Sequence, residues 1–184
     1  TVADEAHSVS MWGHDFRQEY RKLKILRDVF PNINIHSYTA TATDNVRSDI
    51  CNELRLDNPE ILVGSFDRKN LIYNIRHRDK ILNQVCSVIE DHKSESGIIY
   101  CIRRSDVDDL CTKLNQKGYK ALPYHAGMMD EDRKRNQESF INDKVDIIVA
   151  TVAFGMGIDK SNIRYVTHSG MPKSLEHYQQ ETGR

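Results

Sequence analysis

Apolar residues recur along this chain at two periods, and the two periods alternate. Phe16, Tyr20, Leu23, Leu26 and Phe30 lie on one helical stripe that Pro31 stops. Ile33 to Tyr38 then reads as a short strand, and Asp44 as the cap of a helix reaching about Leu54. Ile61-Leu62-Val63 is a further strand candidate. Ile81, Leu82, Val85, Val88 and Ile89 predict a helix over 79–92, and the compact run 97–101 predicts a strand. A helix is expected over 107–114, with Gly118 as its C-cap. Strand 121–124, helix 130–140 and the buried strand 146–150 follow. Strand 163–167 comes next, and a last helix opens at Ser174 and runs to Gln180.

From residue 77 onward, short continuous apolar strands separated by helices predict an α/β fold with a parallel sheet covered on both faces. The residues before 66 share the style but supply only two or three strands, too few for a closed domain. The polar segment Asp67-Arg68-Lys69-Asn70 follows a strand candidate, so two regions are expected, 1–72 and 73–184.

Composition permits this and excludes other classes. Hydrophobic residues make up 39% of 184 and charged residues 29%, with 9 Gly and 4 Pro, which argues against collagen-like, low-complexity and disordered chains. A net charge of -1 argues against a histone-like nucleic-acid binder and leaves open a groove built from a few placed cations. Cys51, Cys86, Cys101 and Cys111 form no C-x-x-C pair, so reduced thiols in an intracellular protein are expected, with no zinc site. No apolar run is long enough to span a membrane. The chain opens on Thr1 without Met or signal peptide and stops at Arg184, and both ends are expected to be cut.

Asp4-Glu5-Ala6-His7 places two adjacent carboxylates after a strand, a pattern suited to Mg²⁺-dependent phosphoryl chemistry, although four solvated surface residues would read alike. Trp12, the chain's one tryptophan, stands beside His14, Phe16 and Arg17, and aromatic faces with a cation suit base stacking; a local core plug is the alternative. Thr39-Ala40-Thr41-Ala42-Thr43 lines a strand end with hydroxyls. The stretch from Val149 to Lys160 runs a buried strand into a loop with Thr151, Gly155, Gly157, Asp159 and Lys160, a set able to meet phosphate, ribose or metal-bound water. The glycine pair alone is no dinucleotide fingerprint. Arg184 adds a guanidinium at the end of a helix.

Together these segments resemble the RecQ family of ATP-dependent 3'→5' DNA helicases, within helicase superfamily 2. Asp4-Glu5-Ala6-His7 is similar to its motif II, and residues 12–17 to its aromatic-rich loop, which separates the family from DEAD-box RNA helicases. Thr39 to Ala42 is similar to motif III, Gly97 to Cys101 to motif IV, and Tyr124-His125-Ala126-Gly127-Met128 to motif IVa. Ala150 to Lys160 resembles motif V, and Gln180 to Arg184 the front of motif VI.

The resemblance implies RecA-like lobes of the P-loop NTPase type: part of lobe 1 in 1–72 and nearly all of lobe 2 in 73–184. It implies ATP and Mg²⁺ as cofactors in a cleft between lobes, and single-stranded and forked DNA as partners. By position, Asp4 would hold Mg²⁺ through water, Glu5 would activate the attacking water, and His7 would link motifs II and III. Asp159, Gly157, Gln180 and Arg184 would face nucleotide. Trp12, His14, Phe16, Arg17, Thr41, Arg103, Ser105, His125, Thr151 and Phe154 would serve DNA binding. Cytoplasm or nucleoid in a bacterium, or a eukaryotic nucleus, would be its place.

Two departures qualify this. Ser8 stands where the family commonly has Cys. More seriously, no G-x-x-x-x-G-K-[ST] loop occurs in the 184 residues, so this chain alone is not expected to hydrolyse ATP. A binding module that kept a DNA groove without an ATP site is the competing reading, and an RNA-directed relative is a third.

Overall fold

The computed structural model describes residues 1–13, 16–40, 42–65, 68–155, 158 and 160–183, leaving aside the side chain of Glu176. The chain divides into two compact units, Thr1–Tyr73 and Asn74–Arg184.

In the first unit, β1 (Val2–Ala3) pairs in parallel with β2 (His36–Ser37), each only two residues long. A 3-10 turn, Ala6–Val9, follows β1. The predicted 16–30 helix is instead a 3-10 segment, Gln18–Lys24, running into a short α1, Ile25–Val29. Neither piece buries a residue fully; Tyr20 and Leu23 lie partly buried against the core cluster, and a stripe covered this incompletely gains little over the cost of ordering it. Helix α2 is Asp44–Glu53, and its cap is Thr43 rather than Asp44: the Thr43 hydroxyl accepts the Val46 N–H. The core is one cluster in which Ala3, Ala6 and Val9 meet Val46, Ile50 and Leu54. Residues 61–63 form no strand; they are exposed, with Leu62 at 85%. A strand exists only through its neighbour's hydrogen bonds, and the described residues of this unit offer none there.

The second unit follows the predicted alternation closely. In order come α3 (Ile81–Asp91), β3 (Ser96–Tyr100), α4 (Arg104–Gln116), β4 (Ala121–Tyr124), α5 (Asp130–Ile141), β5 (Ile147–Ala150), β6 (Ile163–His168) and α6 (Leu175–Thr182). The sheet is parallel, in the order β4-β5-β3-β6. The two strands with every residue buried, β3 and β5, are the inner pair, and with both faces covered Ile98–Tyr100 and Ile147–Ala150 run without polar alternation.

Alternate residues of these strands serve opposite faces. Ile99 and Val149 pack with Val85 and Ile89 of α3 and with Val107, Leu110, Cys111 and Leu114 of α4. Ile98, Tyr100, Ile148 and Ala150 pack with Phe140 of α5 and with Phe154. The chain moves two strands one way from β3 to β4 and one strand back from β4 to β5. Right-handed crossovers then put α4 and α5 on opposite faces. This topology gathers the loops after β3, β4, β5 and β6 at the carboxyl edge of the sheet, where open α/β sheets bind ligands. No helix among the described residues is long and apolar enough to cross a membrane.

Candidate functional site

In the first unit the acidic quartet is held by backbone as much as by side chains. Glu5 adopts a left-handed conformation (φ 49°), uncommon for a residue with a Cβ, and its N–H meets Asp4 Oδ1 at 2.9 Å. The Ala6 N–H donates to the Tyr38 carbonyl, tying the turn to the segment after β2. His7 is buried, with Nδ1 2.9 Å from the Thr39 hydroxyl and 3.4 Å from Glu5 Oε2, so one imidazole touches both the acidic quartet and the threonine segment. Asp4 is exposed and Glu5 half-buried.

Among the described residues no group of three or more His, Cys, Asp or Glu could hold a metal. One exposed and one half-buried carboxylate, both hard oxygen donors, nevertheless fit the manner in which Mg²⁺ is held, by one or two carboxylates with water and substrate phosphates.

The aromatic loop is stitched to this turn. The Arg17 N–H donates to the Ser8 carbonyl at 2.9 Å and the Gly13 N–H to the Ser10 carbonyl at 3.1 Å. A Cβ on Gly13 would stand 2.2 Å from the His7 carbonyl oxygen, so only glycine permits this approach. The buried Ser10 hydroxyl donates to Asp49 on α2 and accepts the Trp12 N–H. Trp12 is 75% exposed, which excludes the core-plug alternative for its ring. Phe16 is exposed too, with the Arg21 guanidinium 5.4 Å from its ring centre and Arg21 paired with Glu53 at 3.0 Å. Ser10, Arg21 and Asp49 support the loop without any motif to mark them.

In the second unit Arg103, Arg104 and Ser105 are exposed where α4 begins; Arg103 is the extended N-cap residue and makes no side-chain cap bond. The half-buried Thr151 follows β5, its N–H donating to the Tyr124 carbonyl. Gln180 is half-buried on α6. His14, Thr41, Gly157, Asp159 and Arg184 lie outside the described residues.

Three expectations are corrected. Phe154 is 1% exposed, its ring edge-on to Tyr124 and Phe140, so it is a core residue and presents no face to a base. His125 is 6% exposed with both ring nitrogens engaged by protein atoms, and so is not a DNA-touching side chain. Lys160 is not a loose ammonium for phosphate: it lies over the Phe140 ring and its Nζ meets Asp143 Oδ1 at 2.5 Å. That ammonium, together with the Asn162 amide, holds the Asp143 carboxyl below the usual carboxylate range.

One cluster joins segments that the sequence left separate, through His168, which no motif marks. The Tyr100 hydroxyl donates to the Phe154 carbonyl at 2.8 Å, and its ring stacks on His168 at the end of β6. His168 Nε2 meets the buried Glu181 carboxylate of α6 at 2.7 Å, beside Tyr178. The ends of β3 and β6, the loop after β5 and helix α6 are thereby joined through ring and polar contacts.

A family model described as the helicase conserved C-terminal domain matches residues 79–184. The chain is 47% identical over 181 residues to the ATP-dependent DNA helicase RecQ of Pasteurella multocida, covering 98% of this chain and 29% of that protein. It is 45% identical over 187 residues to the RecQ-like DNA helicase BLM of Xenopus laevis, covering all of this chain and 14% of that protein. The chain thus spans less than a third of these relatives. Among solved structures, Saccharomyces cerevisiae Dbp5 bound to RNA and ADP BeF3 superposes with a TM-score of 0.79 at 17% identity, covering 100% of this chain and 49% of that one. At that identity the likeness speaks for fold alone, and the fold is α/β and RecA-like. With the family model over the second unit and RecQ relatives matching nearly its full length, the chain belongs to the helicase conserved C-terminal domain family and, within it, to the RecQ-type helicases.

Proposed function

We propose that this chain is part of an ATP-dependent 3'→5' DNA helicase, an intracellular enzyme that couples ATP hydrolysis to translocation on single-stranded DNA and to separation of forked duplexes. In this reading Thr1–Tyr73 contributes the end of one RecA-like lobe and Asn74–Arg184 most of a second. The observation that carries it is the physical continuity between the Asp4–Glu5 turn and the exposed Trp12 loop: Arg17 N–H to Ser8, Gly13 N–H to Ser10 and the close Gly13–His7 approach make them one backbone assembly. A stacking surface joined this directly to a carboxylate pair lets nucleic-acid contact alter the position of the carboxylates.

Each residue's part follows from its chemistry. Asp4 would hold Mg²⁺, which would supply neutralisation of phosphate charge. Glu5 orients the attacking water and takes its proton; His7 keeps the turn in register with Thr39. Trp12 and Phe16 offer faces to bases, with Arg17 beside them. Arg103, Ser105 and Thr151 meet backbone phosphates, helped by the open N–H groups at the start of α4. Gln180 serves nucleotide binding, and by their motif positions in the sequence Gly157, Asp159 and Arg184 share that role.

The test is DNA-stimulated ATP hydrolysis by a full-length gene product carrying this sequence and by the 184-residue chain. The full-length protein should hydrolyse ATP when single-stranded DNA is added, and the chain alone should not, lacking a phosphate-cradling G-x-x-x-x-G-K-[ST] loop. Glu5→Gln should lower turnover by roughly 10²–10⁴-fold, the usual share of a general base, with DNA affinity kept. Stimulation by RNA and not by DNA would overturn the substrate, and turnover by the 184-residue chain would overturn the mechanism.

A further inference from the structure

We propose that His125 is a positioning residue, a latch that fixes the 125–129 turn on helix α4 and thereby sets Arg104 for phosphate contact. The inference rests on the DNA-binding reading above and deepens it. Immediately after β4, the His125 ring is buried between that turn and the helix. The Gly127 N–H donates to Nδ1 at 3.1 Å, so Nδ1 is an acceptor and the ring proton sits on Nε2. Nε2–H then donates to Asp108 Oδ1 at 3.0 Å, a charge-assisted bond to the second turn of α4. The Met128 N–H closes the turn on the His125 carbonyl. Neither ring nitrogen is left for a ligand.

The latch has a consequence at the helix start. Gly127 lies so close to Arg104 that a Cβ there would stand 3.2 Å from Arg104 Cδ and 3.3 Å from Nη1. The turn that His125 holds is therefore the surface along which the Arg104 stem runs. The same bond directs the Asp108 carboxylate toward the imidazole, which moderates an anion that would otherwise repel phosphate near Arg103 and Arg104. Released from His125, the turn and the carboxylate both lose their fixed places, and the arginine loses its guide. His125 thus acts on DNA through Arg104 and never by contact.

The experiment uses the whole 184-residue chain and a fluorescein-labelled oligodeoxythymidine, with affinity read by anisotropy and folding by thermal melting. Arg104→Ala should weaken binding, and His125→Ala and Asp108→Ala should each weaken it roughly threefold to tenfold, the size of one lost hydrogen bond. In the Arg104→Ala background, His125→Ala should cost nothing further, which general loosening of the fold would not produce. His125→Gln, which keeps a donor for Asp108, should retain more affinity than His125→Ala and serves if the alanine variant does not fold. Long-range nitrogen–proton correlation should place the ring proton on Nε2.

If wild type binds no DNA, or if replacing both Arg103 and Arg104 with alanine leaves binding unchanged, the DNA reading fails and the latch with it. If Arg104→Ala weakens binding while His125→Ala does not, the latch alone is overturned. Full additivity of the two changes, or a proton on Nδ1, overturns it equally.

Discussion

The two units draw on the same apolar vocabulary and reach different ends. In Asn74–Arg184, alternate residues of β3 and β5 are divided between two helix-covered faces, and Ile98, Ile99, Ile148 and Val149 are wholly buried. In Thr1–Tyr73 the strands are two residues long, one small cluster is buried, and Ile25, Val29, Phe30, Ile33, Tyr38 and Ile61 stay exposed. Hydrophobic spacing declares which face an element would bury; whether it is buried depends on a neighbour at the right distance. Sheet neighbours supply that surface cooperatively, since each inner strand both satisfies backbone groups and presents two faces.

The sharpest way to break this comparison is to remove one large side chain from each unit. Phe140 is wholly buried against Phe154 and under Lys160, so Phe140→Ala should destabilise the second unit by about 3–5 kcal/mol. Val29 is exposed on α1, and Val29→Ala should change stability by no more than about 0.5 kcal/mol. Denaturant unfolding followed by amide exchange in each unit reads both; comparable losses would mean that the first unit buries this face in solution.

A smaller effect sharpens the picture of the first unit. Its longest helix is capped by Thr43, so Thr43→Ala should cost about 1 kcal/mol, and Thr43→Ser should recover most of it. Circular dichroism melting of the two variants measures this. No loss on truncation would show that α2 is held by Val46, Ile50 and Leu54 alone.

The smallest change is a pH effect confined to the second unit. Burial pushes the Cys111 thiol up from an ordinary 9.0 to about 11, opposed in part by the Asn115 amide. The folded chain therefore keeps a proton that the unfolded chain releases first. Its stabilising share is complete below about pH 9 and is lost as pH rises toward 11. Near pH 9.5, Cys111→Ala should flatten a slight downward slope of stability with pH, and the buried thiol should resist alkylation while the half-buried Cys51 and Cys86 react. Alkylation of Cys111 at the rate of Cys51, the thiol of the first unit, would break the distinction between the units.

Much of the second unit was legible beforehand because its signals are local. Val107, Leu110, Cys111 and Leu114 keep helical spacing, and that face is the one α4 buries. The run through Ile98, Ile99 and Tyr100 has no polar alternation because both faces of β3 are covered. The last helix starts at Ser174 as expected, its hydroxyl accepting the His177 N–H. The stripe at 16–30, which is α-helical only over Ile25–Val29 and covered only at Tyr20 and Leu23, and the run at 61–63 misled, since each needs a remote surface that spacing cannot register.

At the candidate site the same division holds. Sequence alone determined the order of the candidate segments, the tryptophan's place beside His14, Phe16 and Arg17 and the family they resemble, because these depend on residue types and on separations of a few positions. Only the tertiary structure decided that Phe154 is core, that Lys160 is committed to Asp143, that Tyr100, His168 and Glu181 form one cluster, and that His125 faces Asp108 rather than solvent. Each of those assignments depends on a partner 13 or more residues away, brought close by the strand order β4-β5-β3-β6. The energy of a buried polar group is set by that partner's position in space, which local sequence does not encode.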